Sequence, residues 1–136
     1  MKLLHILFLG ILISSCAQGP KSFPDKPMIG LVQNEKVRTA VSEALAQLDA
    51  PSPSPFGALT SLQSLGDFNQ YTPYETGLLW MTKGLALQKL ENWDGAADAY
   101  QKALPLVGNQ FTTICPLLKE VVLLHGAQSD LSVCTQ

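Results

Sequence analysis

The chain has 136 residues, 46% of them hydrophobic and 15% charged, with a formal net charge of −2. That length suits a single domain with a modest core, and the mild acidic balance, spread along the chain, speaks against nucleic acid or electrostatic membrane binding. Ala, Leu, Gln and Ser dominate and no stretch sustains strand alternation, so an all-α fold is expected.

The chain begins MKLLHILFLGILISSC. Lys2 supplies a positive end, and Leu3 to Ile13 form an apolar run too short to span a bilayer unaided. Ile13-Ser14-Ser15-Cys16 follows directly and resembles the bacterial lipobox, in which small residues precede the cut and a Cys thiol accepts diacylglycerol. The alternative is a plain secretory signal with a chance Cys. The resemblance implies that residues 1–15 are a lipoprotein signal peptide and that Cys16 is the lipidation site. It also implies that Ala17, in place of Asp, directs the protein to the outer membrane, facing the periplasm. Two or more acyl chains, each contributing about 0.8 kcal/mol per buried methylene, would anchor it stably. Cleavage removes Lys2 and His5 and leaves about 120 residues.

Residues 16–33 hold Gly19-Pro20, Pro24, Pro27 and Gly30 and read as the lipidated N-terminus and a flexible tether. The remainder, 34–136, is expected to form one helical domain. Asn34 caps a helix from Glu35 to about Leu48, with Val37, Ala40, Val41, Ala44, Leu45 and Leu48 on one apolar stripe. Pro51 to Pro55 interrupt it. Ser54 and Pro55 then open a short helix through about Leu65, carrying Phe56, Ala58, Leu59, Leu62 and Leu65 and ending at Gly66. Asp67 to Tyr71 link onward, with Phe68 and Tyr71 free to pack between hairpins.

Thr72-Pro73-Tyr74-Glu75 is a capping box, since the hydroxyl of Thr72 and the carboxylate of Glu75 can each take the other residue's amide. A long helix follows, with Leu78, Trp80, Met81, Gly84, Leu87 and Leu90 at helical spacing. A turn near Glu91 and Asn92 leads into an antiparallel helix with Ala96, Ala97, Tyr100, Ala103 and Leu104. Thr112 or Thr113 can cap a last helix from Ile114 or Cys115 to His125, with Leu117, Leu118, Val121, Val122 and Leu124 as its apolar members. Pro116 suits its first turn, Gly126 its end, and His125 its C-terminal dipole.

The stretch from Thr72 to Leu106 resembles a tetratricopeptide repeat, whose pattern is W-x2-L-G-x2-Y, then A-x3-F, then P. Trp80 and Gly84 stand at the family's distance, as do Ala96, Tyr100 and Ala103. Lys83 replaces the usual Leu, Leu87 replaces the Tyr, and Gly108 stands for the closing Pro, with a Pro at Pro105 instead. An ordinary amphipathic helical hairpin is the alternative. Ala58-x3-Leu62-x2-Leu65 repeats the spacing 38 residues earlier, which makes the first hairpin a candidate degenerate copy. The resemblance implies about five helices as antiparallel hairpins, in a short right-handed array with a C-terminal closing helix. It further implies a protein-binding groove lined by Leu78, Met81, Leu85, Gln88 and Lys89. These side chains would take a hydrophobic segment, unless Leu78, Met81 and Leu85 simply pack against the first hairpin.

Three Cys are present. With Cys16 consumed by lipid, Cys115 and Cys134 are expected to form a disulfide in an oxidising envelope, the alternative being two free thiols. His125 is the only His left after cleavage, no Gly-rich phosphate loop follows a strand, and no carboxylate pair sits among apolar residues. Neither a metal, a cofactor nor an enzymatic activity is therefore expected. The sequence points to a lipid-anchored adaptor for an envelope protein or peptide segment. A pilotin-like chaperone for a secretion or pilus component, or a structural lipoprotein without a ligand, are the other readings.

Overall fold

A computed structural model describes residues 29–135. The expected signal peptide, Cys16 and most of the expected tether lie outside the described residues. Among the described residues five α-helices pack around one core: α1 Glu35–Asp49, α2 Pro55–Gln63, α3 Pro73–Lys89, α4 Trp93–Val107 and α5 Ile114–Leu123. No helix among the described residues is long and apolar enough to cross a membrane.

Helix α1 begins where Asn34 Oδ1 accepts the amides of Lys36 and Val37, at 3.0 and 3.3 Å. Its whole expected stripe, Val37 to Leu48, is buried. Ala50, before Pro51, is extended and ends the helix, as the steric demands of a following proline favour. Helix α2 starts on Pro55, but the hydroxyl of Ser54 makes no capping bond. Instead the Ser54 amide donates to the carbonyl of Gln47 at 2.9 Å and closes the linker onto α1. The helix stops at Gln63, two residues earlier than expected, and the chain reverses at Gly66 with φ +71°. Phe56 is 72% exposed rather than packed. Ala58 and Leu62 face the core, and Phe56 stands two residues before Ala58, about 200° around the helix.

Helix α3 lies between α1, α2 and α4 and has ten buried residues, more than any other helix described. Its capping box forms, with the Glu75 amide donating to Thr72 Oγ1 at 3.3 Å and the Thr72 amide to Glu75 Oε2 at 3.2 Å. The same carboxylate has a long-range partner: Asn34 N–H donates to Glu75 Oε1 at 2.8 Å, so one side chain holds the starts of both α1 and α3. Buried hydroxyls are satisfied locally. Thr82 Oγ1 donates to the carbonyl of Leu78 at 2.8 Å, and Thr76 Oγ1 donates to that of Phe68 at 2.7 Å.

The α3–α4 turn puts Glu91 in the left-handed region at φ 58°, and Asn92 Oδ1 then caps α4 by accepting the Gly95 amide at 3.0 Å. The two helices approach closely because α3 carries glycines against large side chains of α4. A Cβ on Gly84 would meet the Tyr100 ring, and one on Gly77 would meet Val107, both at well under 3.0 Å. The seven-residue spacing on each helix keeps this antiparallel register over two turns.

Helix α5 closes the exposed side of α4. Thr113 occupies its N-cap without a side-chain hydrogen bond, contrary to the expected cap, because its backbone is already helical rather than extended. The helix ends at Leu123, so Leu124 is 75% exposed and His125 lies beyond the last turn, its ring stacked on Trp93 at 3.7 Å and 6°. The tail then runs back over α4 and α5. The amide of Ala127 donates to the carbonyl of Val121 at 3.0 Å, and that of Gln128 to Asp94 Oδ1 at 2.9 Å. The side-chain amide of Gln101 donates to Ser129 Oγ at 2.8 Å and to the carbonyl of Asp130. Asp94 thereby ties the tail to the first turn of α4. Cys115 and Cys134 form the disulfide, with Cα atoms 5.5 Å apart.

Candidate functional site

The residues expected to line a groove do not do so. Leu78 and Met81 are fully buried and Leu85 is 5% exposed, all three within the core. Gln88 is half-buried, and its Oε1 accepts the Tyr100 hydroxyl at 2.6 Å. Burial, and next the charge of Glu120, push the Tyr100 phenol far above its usual range, so it remains a donor at any ordinary pH. Lys89 alone of the five is exposed. The reason is that α3 is covered by α1 on the side where a repeat array would open its groove.

What α3 leaves partly open is another stripe, Trp80, Lys83 and Leu87, at i, i+3 and i+7, all half-buried. Against Trp80 and Lys83 lie the end of α2 and the bend through Gly66, Asp67 and Phe68, and together they line a cleft of about 220 Å³. Its apolar surface comes from Leu59, Leu62, Phe68 and Trp80. Phe68 meets Trp80 edge to face with ring centroids 5.0 Å apart, which fixes the indole against the turn. The turn itself is held in several places. Asp67 Oδ1 accepts the Asn69 amide at 3.0 Å, and the Leu65 carbonyl accepts Gln70 Nε2 at 2.7 Å and the Tyr71 hydroxyl at 2.9 Å.

Gln63, Asp67 and Lys83 supply the polar lining. Two ammonium groups stand over the indole of Trp80: Lys83 Nζ at 5.1 Å and Lys102 Nζ, from α4, at 4.4 Å from the ring centroid. Lys102 is paired with Asp98 at 2.8 Å, whereas Lys83 has no carboxylate partner among the described residues. The site thus offers an apolar slot whose rim carries one charge of each sign, Asp67 and Lys83.

No model of a known family, no curated protein and no solved structure matches this chain.

A second, shallower depression of about 420 Å³ lies between α1 and the end of α2, lined by Glu35, Lys36, Thr39, Glu43 and Leu65 among others. Its charges are mixed and it has no aromatic residue. Among the described residues no three His, Cys, Asp or Glu side chains gather as metal ligands would. Glu75 is the buried acid, and its neighbours define its role. Burial acts to raise its pKa, but the amides of Asn34, Thr72 and Gln33 and the Thr72 hydroxyl outweigh it and hold the carboxyl below its ordinary range. It is an ionised structural anchor.

Sequence reasoning missed the cleft because it took Trp80 only as an apolar member of the α3 run and of the repeat pattern. One signal was available. Lys83 stands where that pattern has an apolar residue, and a Lys three residues after a Trp on one helix face marks an exposed, aromatic-based stripe.

Proposed function

We propose that this protein is a membrane-anchored envelope lipoprotein, tethered through Cys16, that acts as a protein-binding adaptor. The binding surface is the Trp80 cleft rather than the Leu78–Met81–Leu85 face. The observation that carries this reading is the cleft itself: an ordered aromatic slot left half-open beside a positive charge. Aromatic residues in such slots are the usual energetic centres of protein interfaces.

A short tetratricopeptide-like arrangement is the architecture we propose for it. In support, α3 packs on both helices of the preceding pair as well as on its own partner α4, and the signature Gly84 seats Tyr100. The lipid anchor rests on the sequence at Ile13 to Cys16.

Two experiments test the proposal. Metabolic labelling with palmitate should mark the wild-type protein and not Cys16→Ala, which should leave the membrane fraction; unchanged fractionation would refute the anchor. A photo-crosslinking residue at Gln63, in the living cell, should yield a discrete adduct that is absent from the same residue at Thr112 and lost with Leu59→Asp. Adducts of equal yield at both positions would refute the cleft as the binding surface.

A further inference from the structure

The C-terminal tail, residues 127–135, lies along α4 and α5 as a strap. Gln128 meets Asp94 in the first turn of α4, Ser129 and Asp130 meet Gln101 about two turns on, and Cys134 reaches Cys115 in the first turn of α5. The strap leaves α5 through Gly126, which is in the left-handed region at φ +73° with open space where a Cβ would stand.

Its fastenings weaken with distance from that pivot. Ala127 is buried, and its amide donates to the carbonyl of Val121 at 3.0 Å. The hold on α4 then consists of hydrogen bonds with the side chains of Asp94 and Gln101, at or near the surface, where water replaces a partner at little net cost. Among the described residues, every hydrogen bond from Leu131 onward stays inside the tail. The Asp130 carboxylate accepts the Ser132 amide and hydroxyl at 2.8 and 2.7 Å, the Cys134 amide donates to the Leu131 carbonyl at 2.9 Å, and the Thr135 hydroxyl to the Ser132 carbonyl at 2.7 Å. The turn Ser132–Cys134 has no buried residue, and Leu131 and Cys134 are only half-buried against the core. The disulfide is what ties this turn to α5.

The two sulfurs are not equivalent. Cys115 is the second residue of α5, whose N-terminus has no side-chain cap, so negative charge released there is stabilised by the helix dipole and the free amides of the first turn. Cys134 ends a three-residue turn and has no such support. Both are half-buried, so neither is sealed from an incoming thiol. Attack on Cys134 therefore expels the better leaving group.

We propose that residues 127–135 are a redox-operated strap, which a dithiol reductant releases from α4 and α5 while the five helices stay folded. A thiolate of the dithiol attacks Cys134 Sγ. The new S–S bond forms as the Cys115–Cys134 bond breaks, and the electron pair leaves on Cys115. The second sulfur of the reductant then closes on the first and expels Cys134; the reductant ends as a disulfide, and its two protons end on Cys115 and Cys134. Helices α4 and α5 pack on each other directly, so opening is local. It uncovers the side of α4 from Asp94 to Gln101. The device is separate from the Trp80 cleft, and neither proposal depends on the other.

The test uses the Cys16→Ala protein, in which Cys115 and Cys134 are the only thiols. Hydrogen exchange is followed by mass spectrometry before and after dithiothreitol. Reduction should speed exchange in residues 128–135 at least about tenfold, while α1 and α3 stay at least about a hundredfold slower than the tail and the helical circular dichroism persists. Replacing the reductant with oxidised glutathione should restore slow exchange. Cys134→Ser should show the fast tail without any reductant. A Cys-x-x-Cys oxidoreductase whose second Cys is Ser should be trapped as a mixed disulfide on Cys134 in preference to Cys115, as peptide mapping would show. Tail exchange unchanged by reduction would overturn the proposal, since the bond would then be a staple on an already docked segment. Loss of protection in α1 and α3 to the level of the tail would overturn it too, and a trapped adduct mainly on Cys115 would overturn the order of bond breaking.

Discussion

Replacing Glu75 should do more damage than replacing any other capping residue among those described, because its carboxylate bonds a backbone amide 41 residues away and so joins two helices. Within α3 it completes a capping box, worth about 1 kcal/mol. Across the fold it accepts the amide of Asn34 at 2.8 Å, and that of Gln33 also lowers its pKa. A hydrogen bond to a charged group contributes about 1.5–3 kcal/mol, and the orphaned amides would lie in a site where Glu75 is only 3% exposed. Glu75→Ala should therefore cost about 3 kcal/mol, and Thr72→Ala, which removes only the local half, about 1 kcal/mol. The pH dependence follows from the direction of the shift. A carboxyl held below its ordinary value near 4.5 contributes stability that is fully present above that value and is lost as pH falls through the lower, folded one. Urea denaturation of purified protein at several pH values, with the disulfide intact, measures both effects. Glu75→Gln should flatten the acid limb, and its curve should meet the wild type at low pH. Equal costs for Glu75→Ala and Thr72→Ala, or an acid limb unchanged in Glu75→Gln, would refute the bridging role.

Three further outcomes are expected. Reduction of Cys115–Cys134, or Cys134→Ala, should lower stability by about 3 kcal/mol through the loop of about 20 residues it closes, and amide exchange at Gln128 should rise with it. Gly84→Ala should destabilise by about 1–2 kcal/mol in thermal unfolding, since crowding against Tyr100 outweighs the helix preference of Ala; a gain in stability would mean that the seam is slack. Glu91→Gly should instead raise stability by up to about 1 kcal/mol, by relieving a left-handed backbone at φ 58° without touching a buried side chain, as a chemical-denaturation midpoint would record.

Much of the fold was legible from local chemistry. The caps at Asn34 and Thr72, the apolar stripe of α1, the turn at Glu91 and Asn92, and the stop at Gly66 are decided by neighbours within four residues, so periodicity and capping rules reach them. The Cys115–Cys134 bond was legible by another route, since two thiols remained once Cys16 was assigned elsewhere. The faces of α2, α3 and the end of α5 were read less well than that of α1. Phe56 and Leu124 are apolar yet exposed, and Leu78, Met81 and Leu85 are buried where a groove was expected.

The sequence by itself determined the caps that open α1 and α3 and the turn between α3 and α4, because those choices are made by hydrogen bonds and steric limits between neighbouring residues. Only the tertiary structure decided which faces are covered. Helix α3 has apolar residues nearly all round, and nothing local distinguishes the side that meets α1 from the side that meets α4. That partition depends on where α1 and α2 dock, on Gly77 and Gly84 drawing α4 close, and on the carboxylate of Glu75 bonding an amide 41 residues away. What remains uncovered after those choices is the stripe of Trp80, Lys83 and Leu87, and with it the cleft.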